Sequence, residues 1–458
     1  MSVPANEIAR RLTALRAALS EAAIDAALIV EASDLVYLTG VMTDAHLIVP
    51  AAGEPIYLVR RNLERASEDG RIADVRPFGS FKELPLLFAE LGTRRLGLEL
   101  DVLPAARYLR YQALLPTLEF VDVSNLLAGV RAVKSEWEID QSRIAAQQVQ
   151  TAFALAPETV ATQRTDRDVQ VALEHAMRLV GHQGPLRFRG LNGQMFYGAV
   201  LAGPDAAVAP WADTPLGGPG PNPAVGKGPG GWELRDGDAI SVDLVGGWEG
   251  YLADATRTFF RGTPNRLLAE ALAVCETILT DLEALMVPGI PAEQLYLRGL
   301  ELATAAGFGE HWMGHGSSRV KFVGHGIGLE INEQPFLAQG FAEPLVAGNV
   351  IAVEPKLVFP GVGAVGIENS YVVREGGPER LTTSYTGLTR LGSSAEENRA
   401  ARRRRIDDTA TLRDLERSGS NEASGGAACG LLQFLPVLSA DDTGGLRRTN
   451  RCTRTALG

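Results

Sequence analysis

The stretch FVGHGIGLEINEQPF, residues 322–336, places one histidine among three glycines and follows it with acidic residues. Because Gly324, Gly326 and Gly328 carry no β-carbon, the backbone around His325 is able to turn tightly and to let another group approach closely. An imidazole presented in this way serves a metal ion, a substrate or a buried polar partner, and for a single histidine the last role is the commonest. The rest of the chain has to decide among the three.

The composition is that of a globular protein with an acidic net charge. The chain has 458 residues, of which 45% are hydrophobic and 22% charged, and its formal net charge is -11. A chain of this length is expected to form two folded units. Since phosphate groups attract basic surfaces, the acidic charge argues against nucleic acid or a membrane surface as a partner and favours a small substrate.

The beginning of the sequence gives an expectation about location. Residues 1–23, MSVPANEIARRLTALRAALSEAA, have the pattern of an amphipathic helix and lack the apolar core of a signal peptide. No later apolar run is long enough to span a bilayer. We therefore expect a cytoplasmic protein.

The chain divides near residue 130. Between about residues 26 and 123, short apolar runs alternate with helical patterns, which is typical of an α/β or α+β domain. The charged segment RAVKSEWEIDQSR then opens a long helix. We therefore predict a first domain over residues 1–130 and a second domain over residues 131–392.

The second domain combines helices with hairpin-like strands. The segment AISVDLVGGWEGYLADATRTFF alternates around a Gly-Gly turn, and NVIAVEPKLVFPGVGAVGIENSYVV forms two strand-like runs around FPGVG. Both patterns predict an antiparallel sheet. From residue 393 to residue 458 the sequence loses apolar periodicity and becomes rich in Ser, Gly and Arg, which predicts a disordered tail.

Local signals also place helix ends around these strands. Thr165 and Asp168 form a capping-box pattern, followed by apolar residues at helical spacing that Gly181 ends. The pair Thr263-Pro264 is expected to start another helix, which ends before VPGIP.

Four carboxylates lie in segments that otherwise resemble the interior of a sheet: Asp243, Asp254, Glu354 and Glu368. Aspartate is depleted in strands, and a buried charge is costly unless it is paired. A salt bridge would explain any one of them. If the two hairpins face each other, however, the four converge without a matching number of nearby basic residues, and a pair of divalent cations would neutralise them.

Oxygen-rich ligands with one imidazole suit manganese, cobalt, iron or zinc. A water bridging two such ions would become a hydroxide nucleophile at neutral pH. The pattern therefore predicts a dinuclear metal site that includes His325.

The residues Asp243, Asp254, His325, Glu354 and Glu368, in this order and within the segments GHGIGLE, VEPKL and GIEN, resemble the metal site of the pita-bread hydrolases: aminopeptidase P, prolidase and creatinase. The segments DLVYLTG and RAVKSEWEI resemble this family's N-terminal domain and the start of its catalytic domain. The resemblance implies an α+β protein with a creatinase-like N-terminal domain. It also implies a pseudo-symmetric catalytic domain with a curved antiparallel sheet, and a homodimer.

The resemblance also implies a role for each ligand. Asp243 would bind one ion through both oxygens, Asp254 and Glu368 would bridge two ions, and His325 and Glu354 would complete the second ion's ligands. We expect His325 and Glu354 to act in catalysis as well. Two divalent ions per chain are implied, with manganese the first choice and cobalt, zinc or iron as alternatives.

Three positions depart from the family pattern. Active proline-specific members have a histidine after the proline at the position of Trp211, a second histidine at the position of Asn332, and an arginine at the position of Gly366. Proton transfer by a positioned histidine contributes roughly 10²–10⁴-fold to a rate. We expect Trp211, Asn332 and His315 to line the substrate pocket.

Three functions follow from this pattern. The first is a dinuclear metal-dependent hydrolase of small amide substrates, acting on Xaa-Pro dipeptides. The second is a non-peptidase of the same fold, a creatinase-like or ectoine-type amidohydrolase or a lyase, because the shuttle histidines are missing. The third is a non-catalytic binding module, against which the complete ligand set argues.

Overall fold

The first domain is built on a mixed six-stranded sheet with the strand order β4-β3-β2-β1-β5-β6. The computed structural model describes residues 3–193, 197–383 and 389–390. The strands of this sheet are β1 (Ala26–Ile29), β2 (Ala45–Pro50), β3 (Ile56–Val59), β4 (Asp74–Pro77), β5 (Arg95–Leu98) and β6 (Glu119–Asp122). The helices are α1 (Ala5–Glu21), α2 (Ala32–Thr39), α3 (Leu63–Asp69), α4 (Leu84–Glu90), α5 (Ala105–Leu114) and α6 (Ser124–Ala132).

Both faces of this sheet are buried, as its central strand shows. Successive side chains of a strand point to opposite faces. In β1, Ala27 and Ile29 belong to one apolar cluster, while Ala26 and Leu28 belong to another. An apolar run without polar alternation is therefore the pattern of a strand with helices on both sides.

The second domain consists of two similar halves, each with a pair of helices packed on strands. The first half contains α7 (Glu136–Thr162), α8 (Asp166–Leu179), β7 (Gly198–Ala202), β8 (Ala239–Trp248) and β9 (Tyr251–Phe260). The second contains α9 (Arg266–Leu285), α10 (Glu293–Ala305), β10 (Phe322–Gly326), β11 (Glu333–Ala338), β12 (Val350–Val353), β13 (Lys356–Phe359), β14 (Gly363–Gly366), β15 (Asn369–Val372) and β16 (Glu379–Arg380), and the short strand β17 (Thr389–Arg390) follows.

The sheets of this domain are largely antiparallel. One has the order β11-β10-β12-β15-β16, β13 and β14 form a separate hairpin, and β7 to β9 lie in the order β17-β9-β8-β7, with β17 parallel to β9. One apolar core joins α7 and α8 to β7–β9, and another joins α9 and α10 to the strands that follow them. This arrangement confirms the α+β prediction.

The hairpin β8–β9 is present, but its turn is not the Gly-Gly pair that we predicted. The turn lies at Glu249 and Gly250, which both have positive φ (49° and 90°). Gly246 lies inside β8, where a β-carbon would come within 2.0 Å of the Ala145 carbonyl oxygen in α7. That glycine is therefore explained by the close approach of a helix and not by a turn.

Helix starts were predicted with mixed success. The Thr165 side chain accepts a hydrogen bond from the backbone N–H of Asp168, and the reciprocal bond completes the capping box at the start of α8. The predicted start at Thr263-Pro264 is too early. Helix α9 begins at Arg266, because the Asn265 side chain caps it by accepting bonds from two backbone N–H groups.

Some predictions concern residues that the structure does not describe. The tail predicted for residues 393–458 lies outside the described residues. Within the described part of the chain, no helix combines the length and apolar character needed to cross a membrane.

Candidate metal centre and cavity

The predicted ligands meet where β9 of the first half packs against the strands of the second. The backbone N–H of Asp254 donates to Ser370 Oγ at 2.9 Å, and Thr256 Oγ1 donates to Glu368 Oε2 at 2.6 Å. In addition, Thr258 Oγ1 donates to the Gly366 carbonyl oxygen at 2.8 Å. Hydroxyl side chains therefore join the two halves and fix the position of Glu368.

Three of the five predicted ligands form a compact group. Asp254, His325 and Glu368 each offer a donor atom, and the three atoms lie within 4.8 Å of one another, all on buried residues. Oδ1 of Asp254 and Oε1 of Glu368 are buried and accept no hydrogen bond within the described part of the chain. Buried polar atoms are normally paired, so an unpaired oxygen on each of the two carboxylates of this group indicates a place for a cation.

His325 lies in β10 with its ring fixed by the backbone. Its Nδ1 donates to the Gly326 carbonyl oxygen at 3.1 Å, which leaves Nε2 with a free lone pair. Burial lowers the pKa of His325, which favours the neutral imidazole. A neutral ring with one fixed tautomer is the form that ligates a metal.

The glycines around His325 act through close packing. A β-carbon on Gly324 would come within 2.1 Å of the Ala352 carbonyl oxygen, and one on Gly326 within 2.2 Å of the Gln334 carbonyl oxygen. The expected close approach is therefore confirmed. The expected tight turn at His325 is wrong, because this residue pairs with Phe336 on one side and with Ala352 on the other.

The carboxylates in this group resist ionisation when no metal is bound. Burial, followed by repulsion from Glu368 and Asp243, raises the pKa of Asp254 well above its ordinary value. Burial and neighbouring carboxylates raise the pKa of Glu368 to about 7, although Lys356 acts in the opposite direction. A divalent cation would reverse this effect, since it favours the ionised form.

Lys356 lies inside the carboxylate cluster. Its Nζ is 2.5 Å from Glu354 Oε2, 3.0 Å from Asp243 Oδ2 and 3.4 Å from Glu368 Oε2. Burial disfavours the charged ammonium, but the surrounding carboxylates raise the pKa of Lys356 well above its ordinary value. The carboxylate cluster therefore contains one basic residue that we did not predict from the sequence, although a single lysine does not match four carboxylates in number.

Gly366 provides the space for this lysine. It is the cross-strand partner of Lys356 in the β13–β14 hairpin, and a β-carbon at Gly366 would come within 2.5 Å of Lys356 Cγ. A side chain at position 366 and the observed path of Lys356 therefore exclude each other. The glycine at position 366, where the family pattern has an arginine, and the buried position of Lys356 therefore depend on each other.

The residues present fit a divalent ion. Asp254, His325 and Glu368 supply two carboxylates and a neutral imidazole, which suit manganese, cobalt, iron or zinc. Asp243 and Glu354 instead contact Lys356, and Glu354 Oε1 lies 3.9 Å from His325 Nε2. The ligand roles inferred for Asp243 and Glu354 stay predictions.

The acidic residues that follow His325 have a structural role. Glu333 is buried and pairs with Arg131, and its Oε2 lies 3.0 Å from Lys134 Nζ. Glu330 lies 3.1 Å from the same arginine, which also pairs with Asp34 at 2.8 Å. The loop after the histidine is therefore held to the first domain by buried ion pairs.

A cavity of about 760 Å³ opens beside the carboxylates and is lined by His325, Glu354 and Lys356. This volume is in the range of sites for small ligands. Trp211 and Asn332, which we predicted for the substrate pocket, both line the cavity, and Trp211 is 56% exposed. His315 is absent from the described residues that line it and instead precedes the 3₁₀ turn Gly316–Ser318.

Lys356 is the site residue that our sequence reasoning missed. The segment VEPKLVF places a lysine in the same apolar strand sequence that made Glu354 conspicuous. A buried lysine needs anionic partners for the same reason that a buried carboxylate needs cations. The same rule, applied to the lysine as well as to the carboxylates, would have predicted that Lys356 pairs with Glu354.

The share of the chain that matches a protein-family model identifies its family. Residues 140–375, just over half of the chain, match the model of metallopeptidase family M24. The chain belongs to metallopeptidase family M24. Residues 11–133 match the Creatinase/Prolidase N-terminal domain. As an M24 protein the chain is a peptidase-type hydrolase, and the family implies divalent metal ions.

Two curated dipeptidases are similar to this chain over most of their length and most of its own. The chain is 28% identical over 387 residues to a probable dipeptidase PepE from Mycobacterium tuberculosis, covering 81% of this chain and 92% of that protein. It is 25% identical over 368 residues to a Xaa-Pro dipeptidase from Pyrococcus horikoshii, with coverage of 80% and 94%.

A crystal structure of dipeptidase PepE from Mycobacterium ulcerans gives a TM-score of 0.71 at 26% identity, over 85% of this chain and 100% of that chain. These matches confirm the predicted pita-bread family and its fold.

Proposed function

We propose that this M24 protein is a metal-dependent hydrolase that cleaves dipeptides, with Xaa-Pro dipeptides as its first candidate substrates. The observation that carries the proposal is the group of Asp254, His325 and Glu368, of which Asp254 and His325 line a cavity of suitable size. The names of the relatives support the choice of substrate class. Two ions per chain, manganese as the metal, a homodimer and a cytoplasmic location remain predictions from the sequence.

Each side chain has a proposed part in the reaction. Asp254, His325 and Glu368 would hold a divalent ion, which would supply Lewis-acid chemistry at the scissile carbonyl group. Glu354 lines the cavity beside the ligands, so its carboxylate is placed to accept a proton during the reaction. Lys227 lines the cavity and forms no ion pair among the described residues, so its ammonium is available for a dipeptide's carboxylate. Phe336 and Phe341 give the cavity an apolar wall for a substrate side chain.

A substrate panel tests this function. We expect the purified protein to hydrolyse Xaa-Pro dipeptides, to lose at least about 100-fold in rate with a chelator, and to regain it when manganese, cobalt or zinc is restored. The panel includes dipeptides without proline, creatine-like compounds and ectoine-like compounds. If no dipeptide is cleaved with any metal while one of the other compounds is consumed, the non-peptidase alternative replaces the proposal.

The residues at the positions of the missing histidines favour that alternative and give a second test. Trp211 and Asn332 line the cavity with side chains that do not titrate. If proton delivery alone limits dipeptide hydrolysis, Trp211→His combined with Asn332→His should raise the rate by a factor on the order of ten or more. Steady-state kinetics on a Xaa-Pro dipeptide measure this effect.

A matched control carries glutamine at both positions, because glutamine resembles histidine in size but does not shuttle protons. An equal gain in both double variants would mean that pocket shape, and not proton transfer, limits the reaction. No gain in either variant would indicate a pocket shaped for another substrate.

A further inference from the structure

The position of the Lys356 ammonium conflicts with a full dinuclear centre. Its Nζ lies 2.5–3.4 Å from oxygens of Glu354, Asp243 and Glu368. A divalent ion held by these oxygens would lie about 2.0–2.2 Å from each of them. The ion and the ammonium would then occupy the same small space, and their like charges would repel each other.

The surroundings of Lys356 restrict its movement out of this space. The side chain is 2% exposed, and its Cγ runs over the glycine at position 366. Its backbone N–H donates to Met313 Sδ at 3.4 Å. Because the stem is enclosed and the ammonium has three carboxylate partners, removing it would leave buried charges unpaired.

The remaining donor atoms describe a different cation position. Glu368 contributes Oε2 to Lys356 and Thr256, whereas its Oε1 accepts no hydrogen bond among the described residues. Asp254, whose Oδ1 also accepts no hydrogen bond among the described residues, belongs with His325 and Glu368 to the same compact group. Glu368 thus binds the Lys356 ammonium through Oε2, while its Oε1 is left to bind a metal ion.

We propose that the Lys356 ammonium replaces one metal ion of the predicted pair, so that the chain binds a single divalent ion through Asp254, His325 and Glu368. This inference rests on the proposed function, since it describes the metal content of the same centre. Asp243 and Glu354 hold the lysine, and Gly366 provides its space.

Metal counting on the full chain tests the inference. The protein is saturated with zinc or manganese, freed of excess metal, and analysed by native mass spectrometry and elemental analysis. We expect about one ion per chain for the natural sequence and about two for Lys356→Ala, which opens the space and removes the charge. Lys356→Arg keeps the charge, and Lys321→Ala removes an exposed lysine outside the carboxylate cluster, so both should stay at about one.

A second pair of variants keeps the test decisive if Lys356→Ala does not fold. Asp243→Asn should leave the count at about one, because Asp243 binds the lysine and not the ion, whereas His325→Ala should bring the count close to zero. A drop in the count for Asp243→Asn would overturn the inference.

The outcomes separate this inference from the proposed function. Two ions in the natural sequence would overturn the inference and leave the metal-dependent hydrolase intact. A count that stays at one in a folded Lys356→Ala protein would also overturn it, because the lysine would not be what excludes the second ion. No bound ion at any metal concentration would overturn both proposals.

Discussion

Asp254→Asn should abolish stable metal binding and lower dipeptide hydrolysis by about 10³-fold or more. The change keeps the shape of the side chain but replaces a ligand oxygen that is buried and accepts no hydrogen bond from the described residues. It therefore removes a ligand without opening a cavity. Elemental analysis and kinetics at saturating metal measure the two losses on the same preparation.

The stability of the metal-free protein separates loss of a ligand from loss of the fold. Burial and nearby carboxylates raise the pKa of Asp254, which means that its ionised form is unfavourable without a cation. The metal-free Asp254→Asn protein should therefore unfold at a temperature equal to or above that of the metal-free natural protein. A lower unfolding temperature with metal and activity retained would contradict the assigned role.

A matched control is Asp140→Asn on α7, where the side chain is 61% exposed and pairs with Arg143. Exposed ion pairs contribute little to stability. This variant should keep its metal, its rate and its unfolding temperature. Equal losses in both variants would show that the measurements report on preparation quality and not on the metal centre.

Two kinds of feature could be predicted best from the sequence. Some depend only on neighbouring residues, and others stand out because a residue type is unusual in its surroundings. The capping box of Thr165 and Asp168 is local, so its pattern identifies the start of α8 directly. Asp254 and Glu368 stand out because carboxylates in apolar strands need a cation. The structure then brings both to one place with His325.

Features that depend on distant parts of the chain could not be predicted in this way. Gly246 resembles a turn residue, but its reason is the approach of Ala145 in α7, about a hundred positions earlier. The partner of Glu333 is Arg131, 202 positions away, and the sequence around either residue does not indicate that the two form a pair. Without such contacts the acidic residues after His325 could equally have been metal ligands.

The buried ion pairs of this loop give the second large expected effect. Burial alone would raise the pKa of Glu333, but Arg131 and Lys134 lower it from 4.5 to about 2. Glu333→Gln would leave Lys134 without its carboxylate and Arg131 with fewer partners. Breaking a buried pair on one side costs about 3–5 kcal/mol, so we expect the free energy of unfolding to fall by about 3 kcal/mol at pH 7.

The pH dependence of this loss identifies its cause. Because the folded pKa of Glu333 lies below the unfolded one, its stabilisation is fully present above about pH 4.5 and is lost as the pH falls towards about 2. Urea unfolding of both proteins should therefore show a difference that is constant near neutral pH and narrows in acid. A difference that does not change with pH would mean that packing, and not charge, is responsible.

Glu330→Gln is the matched control for this loop, because Glu330 contacts the same arginine at 3.1 Å. Burial raises the pKa of Glu330, which is the opposite of the shift at Glu333. Its ionised form is then unfavourable in the folded state, so neutralising it should change the free energy of unfolding by less than about 1 kcal/mol or increase it. Equal destabilisation by both variants would refute the view that Glu333, and not Glu330, is the carboxylate of this loop that Arg131 and Lys134 hold ionised. It would also refute our account of how the loop after His325 is fixed to the first domain.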